Sequence, residues 1–122
     1  MSGRVIAGIG CRRGCAAQDI LRVLDRVGMD VAAIAVPAFK ANEPGVREAA
    51  RRLGVPVIRV DDAALAEAQA RCVTRSRAAA RATGFASVAE GSALAACGPR
   101  GRLVLARIAV GGATCALAEA PP

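Results

Sequence analysis

The sequence predicts an α/β fold: a mixed sheet of about five strands, three parallel and two in a C-terminal hairpin, with helices on both faces. Two observations carry this. From Val5 to Val60, short apolar runs alternate with helically spaced segments. That alternation marks consecutive strand–helix–strand units, hence a parallel sheet with right-handed crossovers. Near the end, LVLARIAV and ATCALAEA flank Gly111 and Gly112, a hairpin signal. At 122 residues the chain fits one domain spanning 1–122, long enough to bury a core without disulfides.

Each element follows in order. Residues 4–9 read as a buried strand, and the loop GIGCRRGC begins within it. Ile20, Leu21, Leu24 and Val27 fall at helical spacing within 16–27, and Gly28 ends that helix. Val31 to Val36 is too short for a helix and is stopped by Pro37, so it reads as a second buried strand. Asn42 is placed to cap a helix with Pro44 in its first turn, running through Leu53 to Gly54. VPVIRV is the third strand. Asp61 and Asp62 can cap a helical stretch over 63–71, and VTRS breaks it. Ser76 then caps a short helix ending near Thr83 and Gly84. Ser87 and Glu90 stand in the S-x-x-E relation of a capping box before an alanine-rich helix closed by Gly98 and Pro99. Pro121 and Pro122 read as a frayed tail.

Composition narrows the partners. The net charge is +7, and every basic residue except Lys40 is arginine. Phe39 and Phe85 are the sole aromatics, so the stacking platforms on which single strands and RNA are usually held are missing. Basic charge without aromatics still attracts duplex phosphates, nucleotides or a small polyanion such as a polycarboxylate. Single-stranded nucleic acid and RNA are thereby disfavoured, and a small polyanion stands level with duplex DNA. Cysteines stand at 11, 15, 72, 97 and 115 without a secretory apolar region, which implies reduced thiols in the cytoplasm. The apolar run VAAIAVPAF is too short to cross a bilayer, so a soluble protein with no membrane partner is expected.

The loop GIGCRRGC invites four chemistries. A dinucleotide fingerprint needs G-x-G-x-x-G, but here Gly14 comes one residue late, and no acid ends the second strand. A P-loop fails because no G-K-S/T follows. Cys11 and Cys15 lack further ligands for zinc in a chain without histidine, so no metal and no cofactor is expected. Arg12, Arg13 and a helix N-terminus beside Cys11 predict a lowered thiol pKa, though no base accompanies it. An anion site survives: free loop amides, the positive end of a helix dipole, and two guanidinium forks. Lys40 belongs on the same edge, as does the turn before Ser87. From Arg71 to Arg107 there are seven arginines and one acid, Glu90, which suggests a second basic wall.

Taken in order, GIGCRRG, K-A-N-E-P-G, LGVPV, ATG-x-x-SVAE-x-x-AL and GGATCALA span about Val5 to Ala118. This ordered set resembles the CobE family of cobalamin biosynthesis, which is similar to the C-terminal domain of CbiG. The resemblance implies a precorrin or cobalt-precorrin as partner, a tetrapyrrole rimmed with acetates and propionates, and other enzymes of the pathway as further partners. It implies ligand contacts at Gly10, Cys11, Arg12, Arg13 and Gly14, at Lys40 and Glu43, and at Thr83, Gly84, Ser87 and Glu90. It also places Cys15 where relatives carry a hydroxyl. Larger CbiG relatives are linked to opening a lactone on the ring with loss of acetaldehyde, whereas this chain corresponds to their last domain. Two readings of the resemblance stand beside each other: a carrier or accessory factor, and a hydrolase in which Glu43 or Glu90 activates water. A basic nucleic-acid module is the third reading.

Overall fold

The computed structural model of the protein describes residues 4–121. A five-stranded sheet holds the centre, in the order β3-β2-β1-β5-β4. Strands β1 (Arg4–Cys11), β2 (Ala33–Pro37) and β3 (Val57–Val60) run parallel, and the hairpin β4 (Arg102–Val110) and β5 (Ala113–Ala120) adds antiparallel strands to the free side of β1. The α/β fold with three parallel strands and a terminal hairpin is the one expected.

Helices cover both faces. On one lie α1 (Ala17–Val27) and α2 (Pro44–Leu53), whose Ile20, Val23, Leu24, Val46 and Ala49 pack with Ile9, Cys115 and Leu117 of the sheet. Full burial of a side chain such as Ile20 stabilises the fold by about 1.5–3 kcal/mol. On the other face lie α3 (Asp62–Ala68) and α5 (Val88–Cys97), which close on Ile6, Ala33, Ala35 and Ala118 with Leu65 and Leu94. A fifth helix, α4 (Arg77–Thr83), buries none of its residues.

Small residues let α5 sit close against the sheet. It is buried almost all round, from Ala89 through Leu94 and again at Cys97. A Cβ at Gly8 would collide with the carbonyl oxygen of Ala89, so glycine in β1 sets how near the helix lies. This explains an alanine-rich helix with no amphipathic stripe: there is no exposed face for one to separate.

Several boundaries differ from the expectation, each for a physical reason. The first strand continues through Gly10 and Cys11, because β5 pairs with it as far as Cys11–Ala113. The N-cap of α1 is Ala16, with no side-chain bond, so neither Cys15 nor any hydroxyl occupies the capping position. Glu43, not Asn42, is the N-cap of α2. Asp61 caps α3 by accepting the Ala64 N–H at 2.8 Å, and the expected stretch over 63–71 ends in a 3-10 turn, Gln69–Arg71. Ser76 caps α4 by accepting the Ala79 N–H at 3.1 Å. Of the expected tail, Pro121 follows β5, and Pro122 lies outside the described residues.

Candidate ligand-binding cleft

Strands β1 and β2 end side by side at Cys11 and Pro37, and the chain leaves them as the loop through Gly14 and the turn Ala38–Lys40. The carboxyl edge of a parallel sheet is where open α/β folds bind ligands. A cleft of about 810 Å³ opens here. Gly10, Cys11, Arg12 and Arg13 line it from the first loop, and Phe39, Lys40 and Glu43 from the second. Ala78, Ala79, Ala82 and Thr83 of α4 and Ala86, Val88 and Ala89 beyond it give a smooth apolar wall. Arg107 and Ala109 of β4, the Gly111–Gly112 turn, Ala113 and Thr114 complete the lining together with Ser76.

The cleft therefore combines cations with flat apolar surface. Among the described residues, Arg12, Arg13 and Arg107 have no carboxylate within ion-pair distance, whereas Lys40 lies 4.0 Å from Glu43. Glu43 also accepts the Gly14 N–H at 3.3 Å and so ties the first loop to the second. The loop amides are not a free cradle: Gly14 is engaged with Glu43, and the Cys15 N–H donates to the Arg12 carbonyl at 3.0 Å. Anion-binding capacity rests chiefly on the guanidinium groups and Lys40. Gly14 itself serves the turn, with a φ of 74° that disfavours a side chain.

Seven of the expected contact positions thus face one cleft: Gly10, Cys11, Arg12, Arg13, Lys40, Glu43 and Thr83. Gly14, Gly84, Ser87 and Glu90 do not line it. Gly84 ends α4 in the left-handed conformation. The Ser87 hydroxyl donates to the Thr74 carbonyl, while its backbone N–H and carbonyl are bound by the Gln69 amide at 3.0 and 2.9 Å. Thr83 reaches the cleft wall with its hydroxyl engaged, donating to the Ala79 carbonyl at 2.7 Å and accepting the Phe85 N–H at 3.1 Å.

Glu90 departs furthest from the local reading. No capping box forms, because Ser87 makes no side-chain cap bond. The Glu90 carboxylate, with its residue 1% exposed, accepts the backbone N–H groups of Val73 at 2.8 Å, Thr74 at 2.9 Å and Arg107 at 2.9 Å. Burial by itself pushes this carboxyl up, yet these N–H donors and the Thr74 side chain hold it below its ordinary value. A buried, triply bonded carboxylate has no access to a ligand or to a catalytic water.

Cys11 also departs from expectation. Burial, followed by the neighbouring Cys15 thiol, pushes its pKa up to about 12, and Lys40 opposes this only in part. Burial raises Cys15 as well. At the end of a strand that packs on the core, desolvation outweighs the nearby Lys40 charge. Among the described residues, no three His, Cys, Asp or Glu side chains gather to hold a metal ion.

The expected second basic wall shrinks to one residue. Arg71 donates to the Gly98 and Gly101 carbonyls, Arg75 to the Gln69 carbonyl, and Arg102 lies 3.8 Å from Glu119. Of the arginines from 71 to 107, only Arg107 lines the cleft. Sequence reasoning also passes over Phe39, 48% exposed at the cleft, for which an unburied aromatic directly beside the lone lysine is the available signal.

Comparison with known proteins places the chain. Residues 5–118 match the family described as Cobalamin synthesis G C-terminus. Protein CobE of a Sinorhizobium species is 30% identical over 121 residues, covering 93% of this chain and 79% of its own. The crystal structure of CobE, a protein from the cobalamin biosynthetic pathway, superposes with a TM-score of 0.85 at 37% identity, over 98% of this chain and 92% of that one. The cobalamin biosynthesis protein chiG of Agrobacterium tumefaciens does so with a TM-score of 0.75 at 36% identity, over 94% of this chain and 97% of its own. The fold, the ordered motifs and these relatives agree: this chain belongs to the Cobalamin synthesis G C-terminus family and is a cobalamin-biosynthesis protein.

Proposed function

We propose that the protein binds a polycarboxylate tetrapyrrole intermediate, a precorrin or cobalt-precorrin, and holds or hands it over as a carrier or accessory factor. One observation carries the reading: Arg12, Arg13, Lys40 and Arg107 line the same cleft as Phe39 and an alanine wall. Guanidinium groups grip carboxylates through paired hydrogen bonds, and a flat apolar surface suits the face of a macrocycle. The volume of about 810 Å³ falls within the range of about 300–1,000 Å³ typical of small-molecule sites. Residues 1–122 act as one unit in this reading, and the five free thiols suit a reducing, cytoplasmic setting in which pathway enzymes would receive the ligand.

Hydrolysis of the same ligand is the competing reading, and it has lost one of its two candidate bases. Glu90 is committed to three backbone N–H groups, which leaves Glu43, itself bonded to Gly14 and beside Lys40. The test is to express the protein in a strain that makes precorrins, isolate any bound pigment, and follow its absorbance and mass on incubation. A coloured complex of unchanged mass is expected. Mass loss from the ligand would replace carriage with catalysis, and a colourless protein would overturn both.

A further inference from the structure

We propose that Arg107 selects for ligand size: it lets the cleft hold a flat ring by carboxylates on opposite edges and leaves compact polyanions to the first loop alone. This rests on the tetrapyrrole reading and specifies which ligands of that class the site takes. The sheet order sets the distance between the cations. Lys40 follows β2, Arg12 and Arg13 follow β1, and Arg107 lies in β4, with β5 between. From β2 to β4 is three strand spacings of about 4.8 Å, so the two backbones stand about 14 Å apart. Cations anchored this far apart can hold a wide, flat ligand of tetrapyrrole dimensions by opposite edges at once, with Arg12 and Arg13 between them.

The position of Arg107 is built. The β4–β5 register shifts between Leu105 and Ile108, a bulge of the kind that re-aims a side chain. At that bulge the Arg107 backbone N–H leaves the ladder and donates to the buried Glu90 carboxylate at 2.9 Å. The same carboxylate holds Val73 and Thr74, just ahead of the α4 wall. Glu90 is thus a positioning residue for two sides of the cleft. Arg107 lines the cavity, and its guanidinium has no carboxylate in ion-pair range among the described residues.

The experiment compares two polyanionic probes, a metal-free octacarboxylate porphyrin and benzenehexacarboxylate, each titrated against the wild type, Arg107→Ala and the double variant Arg12→Ala with Arg13→Ala. Arg107→Ala is expected to weaken the porphyrin about tenfold, the worth of one charge-assisted hydrogen-bonded pair, while changing benzenehexacarboxylate less than about twofold. The Arg12 and Arg13 double variant is expected to weaken both. Equal weakening of both probes in Arg107→Ala would reduce Arg107 to a general field effect and overturn the proposal, as would no weakening of either, with the tetrapyrrole reading intact in both cases. Failure of the wild type to bind the porphyrin would remove the tetrapyrrole reading and this proposal together. An unchanged melting temperature for Arg107→Ala distinguishes a missing grip on the ligand from a damaged fold.

Discussion

The Glu90 carboxylate takes the backbone N–H of Arg107 at 2.9 Å across a bulged β4, and with its other oxygen those of Val73 and Thr74. One buried side chain therefore joins α5, the edge strand and the segment leading into α4. Glu90→Gln keeps the shape but turns a donor toward groups that donate. A buried N–H left without an acceptor costs about 1–3 kcal/mol. We expect Glu90→Gln to lose about 1–6 kcal/mol in urea unfolding, one to two such orphaned groups at about 1–3 kcal/mol each. A loss below about 0.5 kcal/mol, the scale of an ordinary surface substitution, would show the network to be dispensable.

The same group predicts an acid limb. Its carboxyl is held below the ordinary value of 4.5, so the folded state favours the ionised form more than the unfolded chain does. The stabilisation is complete above the unfolded pKa and fades as pH falls through the lowered folded value. Melting temperature followed downward from pH 6 should begin to drop near pH 4.5 in the wild type, and the Glu90→Gln variant should lack that component.

Ser92 offers the contrast. Its hydroxyl, on the same helix, is fully buried and has no hydrogen-bond partner among the described residues. Removing a polar atom that bonds to nothing costs no bond, and alanine suits a helix better than serine. Ser92→Ala should therefore raise stability by about 0.5–1 kcal/mol in the same urea titration. Destabilisation by a similar amount would reveal a partner for the hydroxyl.

Cys11 should be sluggish toward alkylating agents. With its pKa pushed up to about 12, the native thiol is scarcely ionised at neutral pH. Peptide mapping after iodoacetamide treatment should show its labelling still climbing with pH beyond about 10, where a thiol of the ordinary pKa of 9.0 has levelled off. A plateau below pH 9 would restore the reactive cysteine that its arginine neighbours suggest.

Removing Arg12 and Arg13 together should leave the fold intact, since both are exposed. Affinity for a tetrapyrrole polycarboxylate, read by quenching of the pigment's fluorescence, should fall by about one to two orders of magnitude, up to one for each guanidinium–carboxylate pair removed. Unchanged affinity would move the site away from the first loop.

How far the sequence can be read depends on the range of each interaction. The strand–helix–strand units, the stops at Gly28 and Gly54 and the turn at Gly111–Gly112 are local signals, and the chain folds accordingly. The convergence of Arg12, Arg13 and Lys40 follows from topology, because parallel neighbours end on one edge. Glu90 misleads a local reading because the same S-x-x-E spacing describes a capping box, while its actual donors lie 16 or 17 residues away in either direction. Burial of Cys11 depends on how far β5 extends along β1, a long-range pairing that no local pattern encodes. Arg107 is visible only as a charge in an apolar edge strand, where arginine ordinarily guards against aggregation.

The stretch from Ser76 to Ala86 is stitched shut at its base, where the Ser76 N–H donates to the Ala86 carbonyl at 2.8 Å, and the helix within it contributes nothing to either core. It behaves as a cassette. Its alanines form much of the apolar wall, yet their replacement has no route into the packing that keeps the protein folded. On the proposed tetrapyrrole reading, Ala78, Ala79 and Ala82 are therefore the positions where the wall of the cleft can change while the scaffold stays constant.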